Sequence, residues 1–232
     1  MLQVQTHLRA VPLQSRASLG RAADAKPHAS PRPFETIIIV KQGERLFDEG
    51  EPAAYFYKLA RGSVRLVKMV GDGYRQICAF HLAGDLIGFS NTPKHAFAAE
   101  AIEDCTLVRY RRRDAEALIK ADPGFACELQ TLTANGLNDA YTHMARLGHR
   151  SARDRLAWFL LSMTDRSTSR DGWIDLPMNR VDIADHLGLA HETVSRAFTQ
   201  LKKTGVIVEP ALNRIRVLNR AALEGELEAP GL

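Results

Sequence analysis

The sequence predicts an α+β fold with an N-terminal antiparallel β domain, a long helix and a C-terminal winged helix-turn-helix. Three observations carry this prediction. Short strand-like runs broken by glycine extend from Phe34 to about Tyr110, one apolar stripe at helical spacing lies further along, and two short amphipathic helices precede a hairpin-like segment. At 232 residues, the chain has the length of one large domain or two ordinary ones.

Residues 1–33 differ in composition from the rest of the chain. They are rich in Ala, Ser, Arg and Pro and contain one acidic residue, Asp24. Such a segment buries too little apolar surface to fold alone, so we expect a disordered basic tail. An organelle transit peptide is the alternative, since these peptides are also basic and poor in acids.

The β domain is predicted to span residues 34–122. From Phe34 to about Tyr110 it has turn signals at a spacing of roughly 8–12 residues, which predicts an antiparallel sandwich or barrel. The clearest hairpin turn lies in "VGDGYR", Val70 to Arg75, because Asp-Gly supplies the positive φ that such turns require. The run "RDAEALIK" then predicts a short helix that ends near Asp122-Pro123.

Residues 123–148 predict one long helix with a narrow apolar stripe. The stripe contains Leu129, Thr133, Leu137, Ala140, Met144 and Leu147. These steps of three and four residues are typical of a seam against a second helix, and we expect pairing with an identical chain. Packing against the chain's own β domain is the alternative, and one helix can serve both purposes.

Residues 149–232 predict a winged helix-turn-helix. "RSARDRLAWFLLSMT" predicts an amphipathic helix and "RDGWIDLP" a turn with a short strand. In "NRVDIADHLG", apolar residues share one face and Gly188 stands where a tight turn between helices needs it. "GVIVEPALNRIRVL" predicts a hairpin with Arg214 and Arg216 on its second strand. An ordinary αα-hairpin is the alternative.

The second helix of this motif carries a polar face suited to double-stranded DNA. Val194, Ala197, Phe198 and Leu201 are expected to be buried, and Glu192, Ser195 and Arg196 to point at base edges. Arg196 can donate to O6 and N7 of guanine, and Glu192 can accept from the amine of cytosine or orient Arg196. The residues expected to contact the DNA backbone are His191, Thr193, Thr199, Lys202, Lys203 and Arg214.

Charge, hydropathy and cysteine usage exclude several other classes of protein. A net charge of +4 and a pI near 9.1 favour an anionic partner without establishing one. The longest apolar run, Thr36 to Val40, is far shorter than the ~20 residues that span a bilayer, so no membrane partner is expected. Cys78, Cys105 and Cys127 are far apart, which fits free core thiols in a reducing cytoplasm; a redox sensor is the alternative.

These motifs resemble the CRP/FNR superfamily of bacterial transcription regulators over residues 34–218. "GERLFDEGEPAAYFYKLARGSVRLVKMVGDGYRQICAFHLAGDLIG" is similar to the β-roll of that family, a jelly roll of the cyclic-nucleotide-binding kind. The long helix is similar in place to its dimerisation helix. "ETVSR" resembles the recognition core of the FNR and FixK branch, and "LPMNRVDIADHLGLAHETVSR" is especially similar to the FixK group.

The resemblance implies a DNA-binding regulator, not an enzyme. It implies a homodimer that binds palindromes of the TTGA-N6-TCAA kind, reads each half-site with Glu192, Ser195 and Arg196, and activates transcription by RNA polymerase. The genes it implies serve microaerobic or anaerobic respiration, denitrification or nitrogen fixation.

The sequence departs from the ligand-binding members of the family. Ala98 and Ala99 stand roughly where cyclic-nucleotide-binding members carry an Arg-Ser or Arg-Thr pair, and a buried phosphate without such donors is unfavourable. Iron–sulfur members have a cysteine cluster in the tail and one more in the β-roll, whereas this tail has none and the internal position is Val108. We therefore expect no cofactor, and a regulator that is active without ligand and controlled by its own synthesis.

Three alternatives remain open from the sequence. The first is a regulator of the same family gated by a ligand, by a redox change or by a haem, with His81 or His95 as the axial residue. The second is a cupin-like metal-binding β-barrel with a helical module, for which these same two histidines are the only ones in the β region. The third is a scaffold that uses its helices for oligomerisation only.

Overall fold

The computed structural model describes residues 35–228, apart from residues 72, 91, 150, 168 and 170. The predicted tail 1–33 lies outside the described residues. Those residues belong to one compact unit and form strands at the N-terminal end, two helices, and a mixed helical and stranded module. The predicted α+β class is confirmed.

Eight antiparallel strands form the β-roll. They are β1 (Glu35–Val40), β2 (Arg45–Phe47), β3 (Tyr55–Arg61), β4 (Ser63–Val70), β5 (Tyr74–Leu82), β6 (Leu86–Ile87), β7 (Ala98–Ala101) and β8 (Cys105–Arg111). They make two four-stranded sheets, ordered β1-β8-β3-β6 and β2-β7-β4-β5. A buried cluster that includes Leu59, Ile87, Ala99 and Leu107 takes residues from both sheets, because alternate side chains of each strand point inward.

The turn between β3 and β4 depends on glycine. Gly62 has φ +95°, and a Cβ there would lie 2.7 Å from the carbonyl oxygen of Asp104 and from Sγ of Cys105. No other residue type fits this approach without moving the backbone of the neighbouring strand. The predicted turn between β4 and β5 is also present, with Tyr74 N donating to Gly71 O at 3.2 Å.

Two helices follow the β-roll, α1 (Arg112–Ala121) and α2 (Pro123–His149). Proline disfavours helical conformation in the residue before it, and Asp122 is accordingly extended and separates the two helices. The side chain of Asp122 accepts from the backbone N–H of Phe125 at 2.9 Å, at the start of α2.

The first part of α2 packs on the β-roll of its own chain. One buried cluster contains Phe56, Tyr110, Ala115, Leu118, Phe125 and Leu129. Leu129 is 4% exposed, so the prediction that it belongs to a seam with a second chain is wrong: its side chain packs in the core of its own chain, which is the alternative considered above. Further along α2 the stripe leaves this core, and Leu137 and Met144 are 52% and 64% exposed.

The C-terminal module contains α3 (Ala152–Arg166), β9 (Trp173–Asp175), α4 (Arg180–Leu187), α5 (His191–Lys203), β10 (Ile207–Ala211), β11 (Arg214–Val217) and α6 (Arg220–Glu228). The predicted hairpin is β10–β11, and β9 pairs with β11 to complete a three-stranded sheet. Helix α3 begins with a capping box, in which Ser151 and Asp154 satisfy each other's backbone N–H groups. The sequence did not predict α6.

The apolar core of the module continues into the β-roll. One cluster joins Val67 and Ile77 of the sheet to Leu160, Ile183 and Phe198 of the module, among others. Phe80 packs edge-on against Phe159, with ring centroids 6.2 Å apart. The helix-turn-helix is therefore packed against the sheet that contains β4 and β5.

Candidate nucleic-acid interface

The helix-turn-helix is built as predicted, with its apolar faces turned inward. Ile183, Ala184 and Leu187 of α4 are at most 2% exposed. Gly188 ends α4 in the left-handed region at φ +61°, and Leu189 N donates to Ala184 O at 3.0 Å. On α5, Val194, Phe198 and Leu201 are buried and Ala197 is half-buried. The buried side of α5 fixes which residues face outward.

The predicted base-reading residues lie together on the outer face of α5. Glu192 and Arg196 are exposed, and Ser195 is half-buried. No ion pair joins Glu192 to Arg196 within the part of the chain that the structure describes. Orientation of Arg196 by Glu192, one of two roles considered for this carboxylate, stays a prediction for the DNA-bound protein. Ser195 Oγ lies 3.5 Å from Nε2 of His191, one turn earlier.

The six residues predicted to contact the DNA backbone differ in their surroundings. Thr199 donates its hydroxyl to the carbonyl of Ser195 at 2.9 Å, while the side chain of Lys203 is exposed. Thr193 is half-buried. Lys202 instead donates to Oε2 of Glu209 at 2.8 Å. This contact directs Lys202 toward β10, so its ammonium group is engaged within the module.

A cation–π contact that sequence analysis missed fixes α5 on the wing. The guanidinium of Arg180 lies 3.3 Å from the ring centroid of Phe198, and it also pairs with Glu209, whose side chain is 8% exposed. Burial lowers the pKa of Arg180, and the charge of Glu209 acts in the opposite direction. Nothing in the local pattern indicated the contact, because its three residues come from α4, α5 and β10.

The wing presents two arginines close to one aromatic ring. Arg214 and Arg216 lie 5.5 Å and 6.0 Å from the ring centroid of Trp173. Trp173 is on β9, which pairs with β11, and Arg216 stands directly opposite it in the register. Both arginines are exposed. The sequence predicted the two arginines but not the tryptophan beside them.

Ala98 and Ala99, which the family resemblance aligns with a phosphate-binding pair, have no side-chain hydrogen-bond donors. Ala99 is 0% exposed and belongs to the β-roll core, and Ala98 lies beside it on β7. Arg112 contacts the segment between β6 and β7, which itself contains no arginine. Its guanidinium donates to the carbonyls of Gly88 and Thr92 and is thereby occupied in holding the loop after β6.

The two histidines considered for a haem or a metal have other contacts. His95 stacks on Phe47 with centroids 3.6 Å apart, and burial lowers its pKa. His81 Nδ1 lies 3.5 Å from Oδ2 of Asp85. No group of three or more His, Cys, Asp or Glu side chains that could hold a metal ion occurs among the described residues. The cupin-like alternative thus lacks a ligand set there.

The three cysteines are free thiols but do not all lie in the core. Cys105 is buried and donates to the carbonyl of Ser63 at 3.3 Å, and Cys78 is half-buried. Burial raises the pKa of both thiols, which favours the unreactive protonated form. Cys127 is exposed on α2, contrary to the prediction of core thiols.

A buried histidine joins the helix-turn-helix to the β-roll. Nδ1 of His186 lies 3.0 Å from the carbonyl oxygen of Ile77, and its ring stacks on that of His143 with centroids 4.0 Å apart. His186 is 6% exposed, and burial, together with the charge of a protonated His143, lowers its pKa to about 3. His186 is therefore neutral at physiological pH.

Helices long and apolar enough to cross a bilayer do not occur in the described part of the chain.

Comparison with known proteins shows which families the two domains resemble. A family model described as a Crp-like helix-turn-helix domain matches residues 154–226, and one described as a cyclic nucleotide-binding domain matches residues 37–122. The nitrogen fixation regulation protein FixK of Azorhizobium caulinodans is 35% identical, over 95% of this chain and 96% of the relative. The transcriptional activatory protein AadR of Rhodopseudomonas palustris is 38% identical over 71% and 70%. The solved structure of FixK2 from Bradyrhizobium japonicum is 40% identical with a TM-score of 0.78, over 85% and 99%.

A β-roll, a long helix and a winged helix-turn-helix with an exposed polar second helix define a DNA-binding transcription regulator of the CRP/FNR type. Within that superfamily, the chain belongs to the FixK family.

Proposed function

We propose that this protein is a homodimeric transcription activator that inserts α5 into the major groove of palindromes of the TTGA-N6-TCAA kind. The observation that carries the proposal is the outer face of α5, where Glu192 and Arg196 are exposed and not paired with each other in the described structure. We assign residues 34–122 to a sensor-like β-roll, residues 123–148 to the dimerisation helix and residues 149–232 to the DNA-binding domain.

In this proposal, Glu192, Ser195 and Arg196 read the bases. Arg196 donates two hydrogen bonds to one guanine, and Glu192 accepts from the exocyclic amine of a cytosine. A carboxylate in the groove is repelled by phosphates unless it meets such a donor, so Glu192 also penalises wrong sequences. Both groups can reach a base without first breaking an ion pair with each other.

Phosphate contacts are assigned to His191, Thr193, Thr199, Lys203 and Arg214, which set the register without reading sequence. Lys202 is expected to contribute less to phosphate binding than the sequence suggested, because its ammonium group would first have to leave Glu209. The exposed Arg216, beside Trp173, extends the basic surface of the wing.

Dimerisation is assigned to the exposed stretch of α2 beyond Leu129. Leu137 and Met144 support this, since apolar side chains at this spacing that are more than half exposed indicate a missing partner surface. A twofold axis along paired α2 helices places two recognition helices for half-sites ~34 Å apart, one turn of DNA.

Activity without cyclic nucleotide or cluster is part of the proposal. The buried Ala99 and the occupied guanidinium of Arg112 support it, because neither offers a free donor to a phosphate. The names of the relatives, a nitrogen fixation regulation protein and a transcriptional activatory protein, support genes of nitrogen fixation and a role as activator. The proposal also includes genes of low-oxygen metabolism, and RNA polymerase as a partner in the cytoplasm.

Purified protein tests the proposal directly. Chelator-treated protein without added nucleotide is titrated against a duplex with the palindrome and a duplex with both half-sites scrambled. We expect the palindrome to bind at least about 10³-fold more tightly at physiological salt. Equal affinity for both duplexes overturns the proposal, and binding only after cyclic AMP, haem or iron is added replaces ligand independence with a gated mechanism.

A further inference from the structure

Four charged side chains tie the helix-turn-helix to the β-roll, and we call them the α4 ion-pair network: Arg65, Arg75, Asp182 and Asp185. Oδ2 of Asp182 accepts from Nη1 of Arg65 at 2.8 Å, and Oδ1 accepts from Nη2 of Arg75 at 2.8 Å. Arg75 also donates through Nε to Asp185 at 2.8 Å. Both arginines lie on the adjacent strands β4 and β5, and both aspartates lie on α4.

Asp182 is the centre of this network. Its side chain is 2% exposed, and both carboxylate oxygens are bonded to guanidinium groups from the other half of the molecule. Its own backbone N–H is capped by Asn179 at 2.8 Å, so the carboxylate is not needed to start α4. The hydrogen bonds from Asp182 to Arg65 and Arg75 are therefore not needed to form α4; they connect α4 to the β-roll.

Further contacts flank the network along the same helix. Gln76 of β5 donates to the carbonyl of Asp185 at 2.7 Å, and His186 packs against Ile77 and Phe80 beneath it. Arg65 is itself held by Glu100 of β7 at 2.9 Å. Polar contacts along the rim of α4 and apolar contacts under it together determine how the helix is oriented on the sheet.

Buried ion pairs add little to stability relative to an apolar core, because desolvating the charges is costly. They do discriminate between geometries, since a carboxylate with two fixed guanidinium partners cannot shift without losing a hydrogen bond. Here the geometry in question is the angle and position of the DNA-binding module on the β-roll.

We propose that Asp182, held by Arg65 and Arg75, is a positioning residue that sets the half-site spacing accepted by the dimer. The inference rests on the proposed function. The β-roll is fixed to α2 through the Phe125 and Leu129 cluster, and the module is fixed to the β-roll through α4. The distance between the two recognition helices then depends on two contacts in each protomer, that of the β-roll with α2 and that of α4 with the β-roll.

Spacing is a sensitive measure of this geometry. One added base pair separates the half-sites by about 3.4 Å and rotates one relative to the other by about 35°. A module held rigidly cannot follow that change, whereas a module held by apolar contacts alone can adjust. Loss of the network should therefore flatten the preference for one spacer more than it lowers the affinity for an isolated half-site.

The test measures binding of full-length protein to palindromes with spacers of five, six, seven and eight base pairs, and to a single half-site. Wild type is compared with Asp182→Asn and with Arg75→Gln at the half-exposed edge of the network. Asp165→Asn is the matched control, because its pair with Arg220 lies wholly within the C-terminal module.

We expect the ratio of affinities between the preferred spacer and its neighbours to fall at least about tenfold in Asp182→Asn and Arg75→Gln, which corresponds to 1.4 kcal/mol. Asp165→Asn should keep the wild-type ratio. If Asp182→Asn does not fold, as judged by circular dichroism, Arg75→Gln is the variant that tests the proposal.

The outcomes separate the two proposals. Variants that keep the wild-type spacer preference, or that lose affinity equally for every spacer and for the half-site, overturn the positioning role while leaving the proposed function in place. Wild-type protein that binds no palindrome overturns the proposed function, and the positioning role with it.

Discussion

Arg196 and Glu192 stand one helical turn apart on α5, both exposed, and no ion pair joins them in the described structure. Their neighbours on the same helix are more constrained, since Lys202 is bonded to Glu209 and Thr199 to the backbone of α5. Two kinds of contribution to binding follow, one that depends on the base sequence and one that does not.

Arg196→Ala should cost about 1–3 kcal/mol in binding, all of it at the guanine that Arg196 contacts. The physical reason is the loss of two hydrogen bonds to one base edge. The measurement is a titration against duplexes in which each base pair of the half-site is changed in turn. The variant should be indifferent to one base pair that wild type reads.

Lys203→Ala is the companion variant for that experiment. It should weaken binding to all duplexes alike and lower the slope of log K against log salt by about 1, because one phosphate contact is lost. A uniform loss of affinity in Arg196→Ala, with every base pair still discriminated, would contradict the base-reading assignment.

His186 predicts a dependence of stability on pH. Its pKa is about 3 in the folded protein and 6.5 when unfolded, so between these values the unfolded chain binds a proton that the folded chain does not. Its contribution to stability is therefore present above pH 6.5 and is lost as the pH falls. From about pH 7.5 to about pH 5.5, the free energy of unfolding should fall by about 1.4 kcal/mol from this group.

Urea unfolding at the two pH values measures that fall. His186→Gln has lower stability at both values, because a buried contact with Ile77 changes, but the part of the pH dependence due to this imidazole should disappear. His191→Gln, at an exposed position, is the control and should keep the wild-type difference. An unchanged pH dependence in His186→Gln would exclude this residue as its source.

At the scale of elements, α5 and the wing are joined by a small set of contacts around Arg180. The guanidinium packs on Phe198 and pairs with Glu209, and the side chains of Arg180 and Glu209 are 13% and 8% exposed. An unpaired charge in a buried position is costly, so loss of the Arg180–Glu209 pair should reduce the free energy of unfolding more than loss of an exposed ion pair.

Arg180→Ala should lower the free energy of unfolding by about 3 kcal/mol, because it leaves a buried carboxylate with Lys202 alone and removes the cation–π contact. Arg220→Ala, which breaks exposed pairs with Asp165 and Glu224, should cost less than about 1 kcal/mol. Chemical denaturation of both variants makes the comparison. Equal losses would show that burial does not strengthen the Arg180 contacts.

The local elements could be predicted because their patterns are local. Gly188, Val194 and Phe198 lie within eleven residues of one another, and helical spacing alone assigns their roles. The network at Asp182 could not be predicted, because its arginines are more than one hundred residues away along the chain. Its existence depends on which sheet α4 meets, and no periodicity contains that information.

The stripe on α2 shows where periodicity reaches its limit. Leu129 and Leu137 have the same spacing and the same chemistry, yet one is buried in the β-roll core and the other is more than half exposed. An apolar residue at a helical step predicts a contact but not the identity of the partner. Only the position of β3 and β8 beside the start of α2 separates the two.

At the scale of the whole molecule, the exposed part of α2 predicts the oligomeric state. Leu137→Glu should convert the protein to a monomer and weaken binding to the palindrome, because a carboxylate cannot be buried in an apolar seam without a partner. Light scattering after size-exclusion chromatography measures the mass, and a titration against the palindrome measures the loss of affinity.

Asn135→Glu is the control for that substitution. Asn135 is also exposed on α2, but two residues from Leu137 it faces away from the stripe, so the charge should be tolerated. A Leu137→Glu protein that stays dimeric would move the interface away from this face of the helix.

The apolar core shared by the sheet and the helix-turn-helix limits how members of this family can be recombined. A chimera that joins the β-roll of one relative to the C-terminal module of another, with the crossover after α2, pairs a foreign α4 with β4 and β5. Such hybrids should aggregate or bind poorly unless the β-roll residues that contact α3 and α4, namely Phe80, Arg65 and Arg75, are transplanted together with the module. The β-roll and the C-terminal module look separable in the sequence, but in protein engineering they should be exchanged together.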